Sequence, residues 1–527
     1  MRREERRWCL AYAGILAALT TLPYLLGYAA QGESWRFSGF VFAVEDGNSY
    51  IAKMLQGSSG AWLFRSPYTS MEQAGVVAFL PYILLGKLAA GKALHEQLVV
   101  LFHLLRIGLI FPLVLTVYRF LARFIGEGYW RKWGTVLATA GGGLGWLLIL
   151  AGKADWLGSM PLDFISPETF GFLGIYGIPH LILARILLLE GLLLYLHSVQ
   201  RPRSGWMAGA CFLGLCLVQP ISAVAGLAVV AAHLTATFSY SLGKAGWRAW
   251  VNWAGGAARV VSICGPFVLY YVWEFSHDPY LVAWTAQNRI LSPPPAHYLL
   301  AFGLLLLPAL AGAWFFLREA SQTALLPVAW LVLFPLLAYA PHNLQRRLPD
   351  GIWVALVCLS AAGIPRLVKR VRWSTIGAFF LALSLPSTLI LLGGGVRVAM
   401  QPSEPAFQPV GTVRAFAWLS SHAEVGDVVL TGYALGNALP AWAPLRVVIG
   451  HGPESVDLAV LEQDVQLFFA GGMSARERED FLEAHRVRFI VRGPIEQALG
   501  DWSVVDMDGL GLRYAESGYQ IFARGMP

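Results

Sequence analysis

Apolar positions in this chain run in long uninterrupted blocks rather than in alternation. From Trp8 to Leu392 these blocks recur at roughly 15 to 22 residues, the length that carries a helix across a bilayer core. The first, Trp8 to Ala30, follows Arg2, Arg3, Arg6 and Arg7 and contains no small-residue cleavage site. It reads as an uncleaved first span with a cytoplasmic N-terminus. Pro220 divides Trp206 to Gln219 from Ile221 to Phe238, which predicts a helical hairpin. If Arg119, Arg123, Arg131 and Lys132 are cytoplasmic, Leu98 to Tyr118 runs inward and the block Val76 to Ala90 cannot cross. Either that block lies in the interface as a juxtamembrane helix, the favoured expectation, or the positive-inside rule fails locally and it spans.

After Gly394 the pattern changes. Val428 to Leu430, Val447 to Ile449, Phe489 to Val491 and Tyr519 to Phe522 are short apolar runs that predict strands. Thr412 to Leu419, Asp457 to Phe469 and Ser474 to His485 have helical spacing, and Ser474 with Glu477 forms a capping-box signature. The predicted fold class is a polytopic α-helical membrane protein, roughly eleven spans plus a juxtamembrane helix, with a C-terminal extracytoplasmic α/β domain. The predicted division is a transmembrane domain over 1–393, with a first external loop at 31–75, and an α/β domain over 394–527.

Composition agrees with that division. The 527 residues are 56% hydrophobic and 13% charged, with mean hydropathy +0.56. An ordinary soluble domain is about 25% charged, so a cytosolic globular enzyme is excluded. The net charge of +7 conceals an asymmetry: from Gly394 onward there are 10 Arg, no Lys and 16 acids, net −6, which leaves +13 before it. A basic membrane portion suits cytoplasmic loops beside anionic lipid and is a poor sign of nucleic-acid binding. Arg366, Lys369, Arg370 and Arg372 form the densest basic loop, so the following span is expected to exit and place the acidic tail outside. By the same alternation Arg201 to Arg203, Lys244 to Arg248 and Arg318 come out cytoplasmic, and Gly152 to His180, His277 to Tyr298 and Pro341 to Asp350 external. Five cysteines lie inside apolar blocks without a CxxC, which indicates neither a disulfide framework nor a zinc site.

The most informative polar stretch follows the first span: Val44, Glu45, Asp46, Gly47, Asn48, Ser49 and Tyr50. Two adjacent acids there can activate a hydroxyl, bind a divalent cation or cap the next helix. The same loop carries Arg65, Pro67, Tyr68 and Glu72.

A cytoplasmic N-terminus, one span, a long external loop with an acidic pair near its start, about ten further spans and an external α/β tail resemble the GT-C superfamily of integral-membrane glycosyltransferases. The resemblance covers the architecture of nearly the whole chain, while its specific motif is short. It implies that the acid of the first external loop is catalytic, which falls on Asp46 with Glu45 beside it. It also implies a sugar donor on polyprenyl phosphate and an acceptor that is a lipid, a glycan or a protein. A carboxylate would take the proton of the acceptor hydroxyl during an inverting attack on the anomeric carbon, and the departing lipid phosphate needs positive charge.

Arg346 and Arg347, in Pro341 to Pro349, could supply that charge as a bidentate fork, or could bind lipid headgroups. His180, at the start of a span, is a third candidate for the phosphate or a residue bonded to backbone. Further candidates for substrate contact are Arg65, Tyr68, His342, Asn343, Asp278 and Arg289. Asp46, Asp155 and Asp163 are weak candidates for a magnesium or manganese ion. Glu168 shares the loop of Asp155 and Asp163, where a structural or solvated role is the plainer reading.

Within the apolar blocks lie His103, Arg106, Arg185, Glu190 and His233; Arg106, His103 and Glu190 could build an ion path, while snorkelling or interhelical pairing is the plainer reading of most of them. Trp130, Trp133, Trp146, Trp156 and Trp206 are expected as interface anchors. The acidic stretch Glu454, Asp457, Glu462 and Asp464 suits a partner surface. The competing classes are therefore a transporter or lipid flippase, and a non-catalytic scaffold whose outer domain binds a partner.

Overall fold

A computed structural model of the chain describes residues 1–241, 247–319, 321–368, 370–500 and 509–525. Lys244 and Lys369, two of the basic residues used to orient the spans, lie outside the described residues. Among the described residues seven helices are long and apolar enough to cross a membrane, and Trp373–Ser384 with Pro386–Met400, bent by 43°, makes an eighth. Pro386 removes a backbone donor at that bend. Of the shorter helices Leu325–Ala338, of 14 residues, is also apolar, so the described residues hold seven or eight full spans and one short apolar helix against the expected eleven. Hydropathy counts an apolar residue whether or not it is helical, so runs continuing into loops read as longer spans. The chain is a multi-pass membrane protein.

The chain divides into two compact units. The first comprises Met1–Thr21, Leu105–Val272 and Arg289–Gly394. Its innermost element is Ile352–Leu367, buried at every position from Ile352 to Ile364. A Cβ on Gly312 would fall 1.9 Å from the Leu359 carbonyl, and one on Gly363 would fall 2.0 Å from the Pro308 carbonyl. The helices Pro295–Arg318 and Ile352–Leu367 therefore pack backbone to backbone, as small residues permit in membranes. Trp130 and Trp133 are buried here, and Trp133 Nε1 donates to the Gly377 carbonyl at 3.1 Å, so this pair packs the interior instead of anchoring an interface.

Most of the expected intramembrane charges in this unit have partners. Arg119 meets Glu190 at 2.7 Å. Arg106 donates to the hydroxyls of Thr20 and Thr21 at 3.1 and 3.0 Å, and His233 lies 3.0 Å from the Tyr195 hydroxyl.

The second unit comprises Leu22–Leu104, Trp273–Asn288 and Gly395–Pro527. The C-terminal segment is thus one compact body with the first loop. β1 (Trp35–Phe37) pairs antiparallel with β2 (Phe407–Pro409), which ties the two segments through backbone hydrogen bonds. A five-stranded sheet follows the order β4-β3-β5-β7-β6. It is built from β3 (Val428–Leu430), β4 (Arg446–Val447), β5 (Val487–Arg492), β6 (Leu510–Glu516) and β7 (Tyr519–Arg524). β3 runs parallel to β4 and β5, and β7 runs antiparallel to β5 and β6. Both faces are covered: Val429, Phe489, Val491 and Ile521 pack with Phe416 and Leu439. Val428, Leu430, Ile490 and Phe522 pack with Phe468 and Leu482 on the other side. This period of two, with both sides buried, is why the strands read as continuous apolar runs. The capping box of Ser474 and Glu477 is present.

In Val76 to Ala90 only Leu80–Gly86 is helical. Seven residues rise about 10 Å, too little to cross a bilayer. This helix lies against Val44–Ser58: a Cβ on Gly86 would sit 1.8 Å from the Met54 carbonyl, and one on Gly57 would sit 2.0 Å from the Ile83 carbonyl.

Candidate functional site

The helix Val44–Ser58 opens after Ala43, whose φ of 47° is left-handed and which makes no side-chain cap. Glu45 and Asp46 occupy the first turn, where carboxylates suit the helix dipole. Asp46 is therefore not the N-cap, and the capping alternative does not account for it. A non-glycine residue in this backbone region costs of order 1 kcal/mol and turns the chain sharply before the acidic pair.

Two segments that leave the carboxyl edge of the sheet, the start of the helix Tyr433–Trp442 and the turn at His451, meet these acids. Tyr433, after β3, donates to Glu45 Oε2 at 3.1 Å. His451, shortly after β4, brings Nε2 to 3.5 Å from Asp46 Oδ1. The carboxyl ends of parallel strands are the usual place for ligand contacts in α/β sheets. Asp46 remains half-exposed, at 53% of its side-chain surface.

Behind this pair lies a buried ion pair. Asp46, Ser49 and Lys53 share one helix face at spacings of three and seven residues. Lys53 Nζ donates to Glu454 Oε1 at 2.7 Å, with side-chain exposures of 1% and 5%. Lys53 also donates to the Ser49 hydroxyl. Ser49 donates to Glu454 Oε1 at 2.9 Å and Ser66 to Glu454 Oε2 at 2.8 Å. The ammonium sits 4.3 Å from the Phe79 ring centroid and 5.3 Å from that of Phe64. Burial works to raise the Glu454 pKa, yet the charges of Lys53 and His451, with hydrogen bonds from Lys53 and Ser66, outweigh it and hold the carboxyl below its usual range.

His451 Nδ1 lies 3.6 Å from Glu454 Oε1, so the imidazole stands between two carboxylates. The turn carrying it is pinned by Ser455, whose hydroxyl accepts from the N–H of Gly450 and of His451 and donates to the Tyr68 carbonyl at 2.9 Å. A cavity of about 450 Å³ opens in the same unit, lined by Ser70, Glu72, Asp457, Leu461, His485 and Arg486 among others.

Lys53, Glu454 and His451 were not among the expected site residues. The helix-face spacing from Asp46 to Lys53 is visible in the sequence. Glu454 belongs to the acidic stretch expected as a surface, but it is buried, whereas Asp457 and Glu462 are exposed and Asp464 is half-buried.

The remaining expected residues divide between the units. Arg65 is exposed and donates to the carbonyls of Gln73 and Ala74 at 3.1 and 2.9 Å, holding its own loop. Tyr68 is a core residue, fully buried, with its hydroxyl on the Asn437 carbonyl at 3.1 Å. It has no exposed surface to meet a sugar. Asp278 is the N-cap of Pro279–Gln287, accepting from Leu281 N–H at 2.9 Å.

In the first unit Arg347 Nε lies 3.2 Å from Glu168 Oε1, and Arg185 pairs with Asp350 at 2.8 Å deep inside. Ser222 also donates to Asp350, while the N–H of Gly351 donates to the Glu168 carbonyl at 3.0 Å. Arg347 and Arg346 thus lie on a segment anchored at both ends, and the Arg346 Nε is buried without a hydrogen-bond partner. The Ile290 N–H donates to the Asn343 carbonyl at 2.7 Å, and His342 Nδ1 accepts from Leu344 N–H at 3.0 Å. Arg289 is exposed, and His180 is buried in the first turn of Pro179–His197. Burial raises the Glu168 pKa, with the Arg347 charge opposing it.

Asp155 is exposed. Asp163 is buried, accepting from Ser387 at 2.7 Å and from Gly145 N–H at 3.0 Å. Among the described residues no group of three or more His, Cys, Asp or Glu could hold a metal ion.

No protein-family model matches the chain, and no curated protein matches it by sequence. Solved structures do match. The oligosaccharyltransferase AglB from Archaeoglobus fulgidus, in complex with an inhibitory peptide and a dolichol-phosphate, has TM-score 0.55 at 13% identity, covering 100% of this chain and 75% of that one. Another structure of the A. fulgidus oligosaccharyltransferase, in complex with Zn and sulfate, has TM-score 0.51 at 12% identity over 96% of this chain and 73% of that one. The arabinofuranosyltransferase AftD from Mycobacteria has TM-score 0.58 at 15% identity over 99% of this chain, which spans 40% of AftD. The chain shares the fold of these solved membrane-protein structures.

Proposed function

We propose that this protein is a membrane glycosyltransferase that moves a sugar from a polyprenyl-phosphate donor to an acceptor hydroxyl on the extracytoplasmic face, with its N-terminus cytoplasmic. The observation that carries this reading is the half-exposed Asp46 carboxylate, set on the first turn of its helix and faced by His451. In the proposed step the acceptor oxygen forms a bond to the anomeric carbon with inversion, and its proton passes to Asp46. The bond from that carbon to the phosphate oxygen breaks, and the electron pair leaves with the lipid phosphate. A phosphate leaving group is already a weak base, so cationic stabilisation matters more there than a general acid. Arg346 and Arg347 are the proposed source of that charge, with Arg347 held by Glu168. No step is assigned to magnesium or manganese, because the described carboxylates form no ligand group.

The test incubates wild type and Asp46→Asn, each in nanodiscs, with polyprenyl-linked sugars extracted from host membranes and a candidate acceptor pool, followed by mass spectrometry. Loss of one lipid species with wild type alone is expected, with Asp46→Asn slower by about 10²- to 10⁴-fold. Equal turnover by the two proteins excludes Asp46 as the base.

A further inference from the structure

We propose that His451 is a positioning residue for Asp46, aimed by a buried Lys53–Glu454 anchor. This rests on the glycosyltransferase reading and goes beyond it, because it assigns the C-terminal segment a part in the chemical step. The groups follow one another from the interior outward. Lys53 is fixed by Glu454 and Ser49 under the Phe79 and Phe64 rings. Glu454 receives donors from Lys53, Ser49 and Ser66, so both its oxygens are occupied and its position is set. The fixed Glu454 carboxylate faces Nδ1 at 3.6 Å, beyond a direct hydrogen bond, and the same ring presents Nε2 to Asp46 Oδ1 at 3.5 Å.

Three further constraints hold the ring. Its backbone N–H is bonded to Ser455, Ser455 is bonded to the Tyr68 carbonyl, and the Tyr68 ring lies 5.2 Å from the imidazole centroid. Both separations exceed a hydrogen bond, as is common before substrate closes a site. A carboxylate that must meet an acceptor hydroxyl in line with the anomeric carbon loses rate steeply when its direction wanders. His451 limits that wandering, and Glu454 keeps His451 from turning away.

The two ring nitrogens provide the test. In His451→Gln the side-chain amide reaches toward the Nε2 position and keeps the contact to Asp46. In His451→Asn it stops near the Nδ1 position and keeps only the contact to Glu454. Wild type, Asp46→Asn, His451→Ala, His451→Gln and His451→Asn are compared in nanodiscs with the extracted polyprenyl-linked sugars, and melting is recorded for each. His451→Ala and His451→Asn are expected to lower kcat by about 10- to 100-fold, with donor and acceptor KM within about twofold of wild type. His451→Gln is expected to regain most of the rate.

If His451→Asn is as active as His451→Gln, or if His451→Ala keeps wild-type kcat, positioning is overturned while the Asp46 reading stands. A uniform loss that follows melting temperature across all three His451 variants assigns the residue to folding alone and also overturns it. When Asp46→Asn turns over as wild type does, or wild type consumes no lipid, the glycosyltransferase reading fails first and takes this inference with it.

Discussion

Glu454 in one unit and Glu168 in the other are both nearly inaccessible to solvent, yet their carboxyl groups are displaced in opposite directions. Burial is the largest influence on each and acts upward on both. Glu454 has a buried ammonium at 2.7 Å, the neighbouring His451 and the Ser66 hydroxyl, which together outweigh it. Glu168 has Arg347 at 3.2 Å, a guanidinium 36% exposed and so screened by water. Depth alone therefore does not decide the charge state of a buried acid; the number and dryness of its partners do. Each unit uses its buried pair differently. In the second, a closed anchor runs outward to a half-exposed acid at Asp46. In the first, Arg185 and Asp350 close off the interior and the outer group is a cation, Arg347.

The comparison breaks most visibly at Lys53. Lys53→Met leaves the Glu454 carboxylate buried without its cation, and is expected to destabilise the protein by about 3–5 kcal/mol in denaturant or thermal unfolding. Lys53→Met with Glu454→Leu is expected to recover stability to within about 1 kcal/mol, because an apolar pair replaces an ion pair at little cost. Activity should stay low in the double variant, which separates the anchor's structural part from its part in aiming His451.

A smaller effect is expected in the first unit. Arg346→Ala should raise donor KM by about 10- to 100-fold, the loss of one charged contact to phosphate, with melting unchanged. Glu168→Gln should alter stability by less than about 1 kcal/mol, since its partner is partly exposed. Equal and large losses from Glu168→Gln and Lys53→Met would erase the distinction between the units.

The pH dependence of melting sharpens it at lower amplitude. Glu454 has a depressed folded pKa, so its stabilisation is complete above the unfolded value of about 4.3 and is lost as pH falls through the folded value. Glu168 has a raised folded pKa, so the folded state binds its proton more tightly, and that contribution is lost as pH climbs from about 4.3 through the folded value. Melting of Glu454→Gln should lack the acid-side fall that wild type shows, and Glu168→Gln should lack the opposing component on the neutral side.

The sequence by itself determined the membrane portion and the change of material after Gly394, because long apolar blocks, period-two runs and capping signatures are local and additive along the chain. Strands at Val428 to Leu430 and Phe489 to Val491, and the helix capped by Ser474, were legible for that reason. It also singled out Glu45 and Asp46 as an unusual acidic pair beside an apolar block. What it could not supply was the partner of each charge. Lys53 meets Glu454 across 401 positions and Tyr433 meets Glu45 across 388. Such pairings depend on which strand edge the chain delivers to which helix face. The same distance in sequence hid the burial of Tyr68 and the split of Glu454 from its acidic neighbours. Only the tertiary structure brought β1 to β2 and thereby made the first loop and the C-terminal segment one body, since backbone hydrogen bonds between remote strands leave no mark in the composition of either.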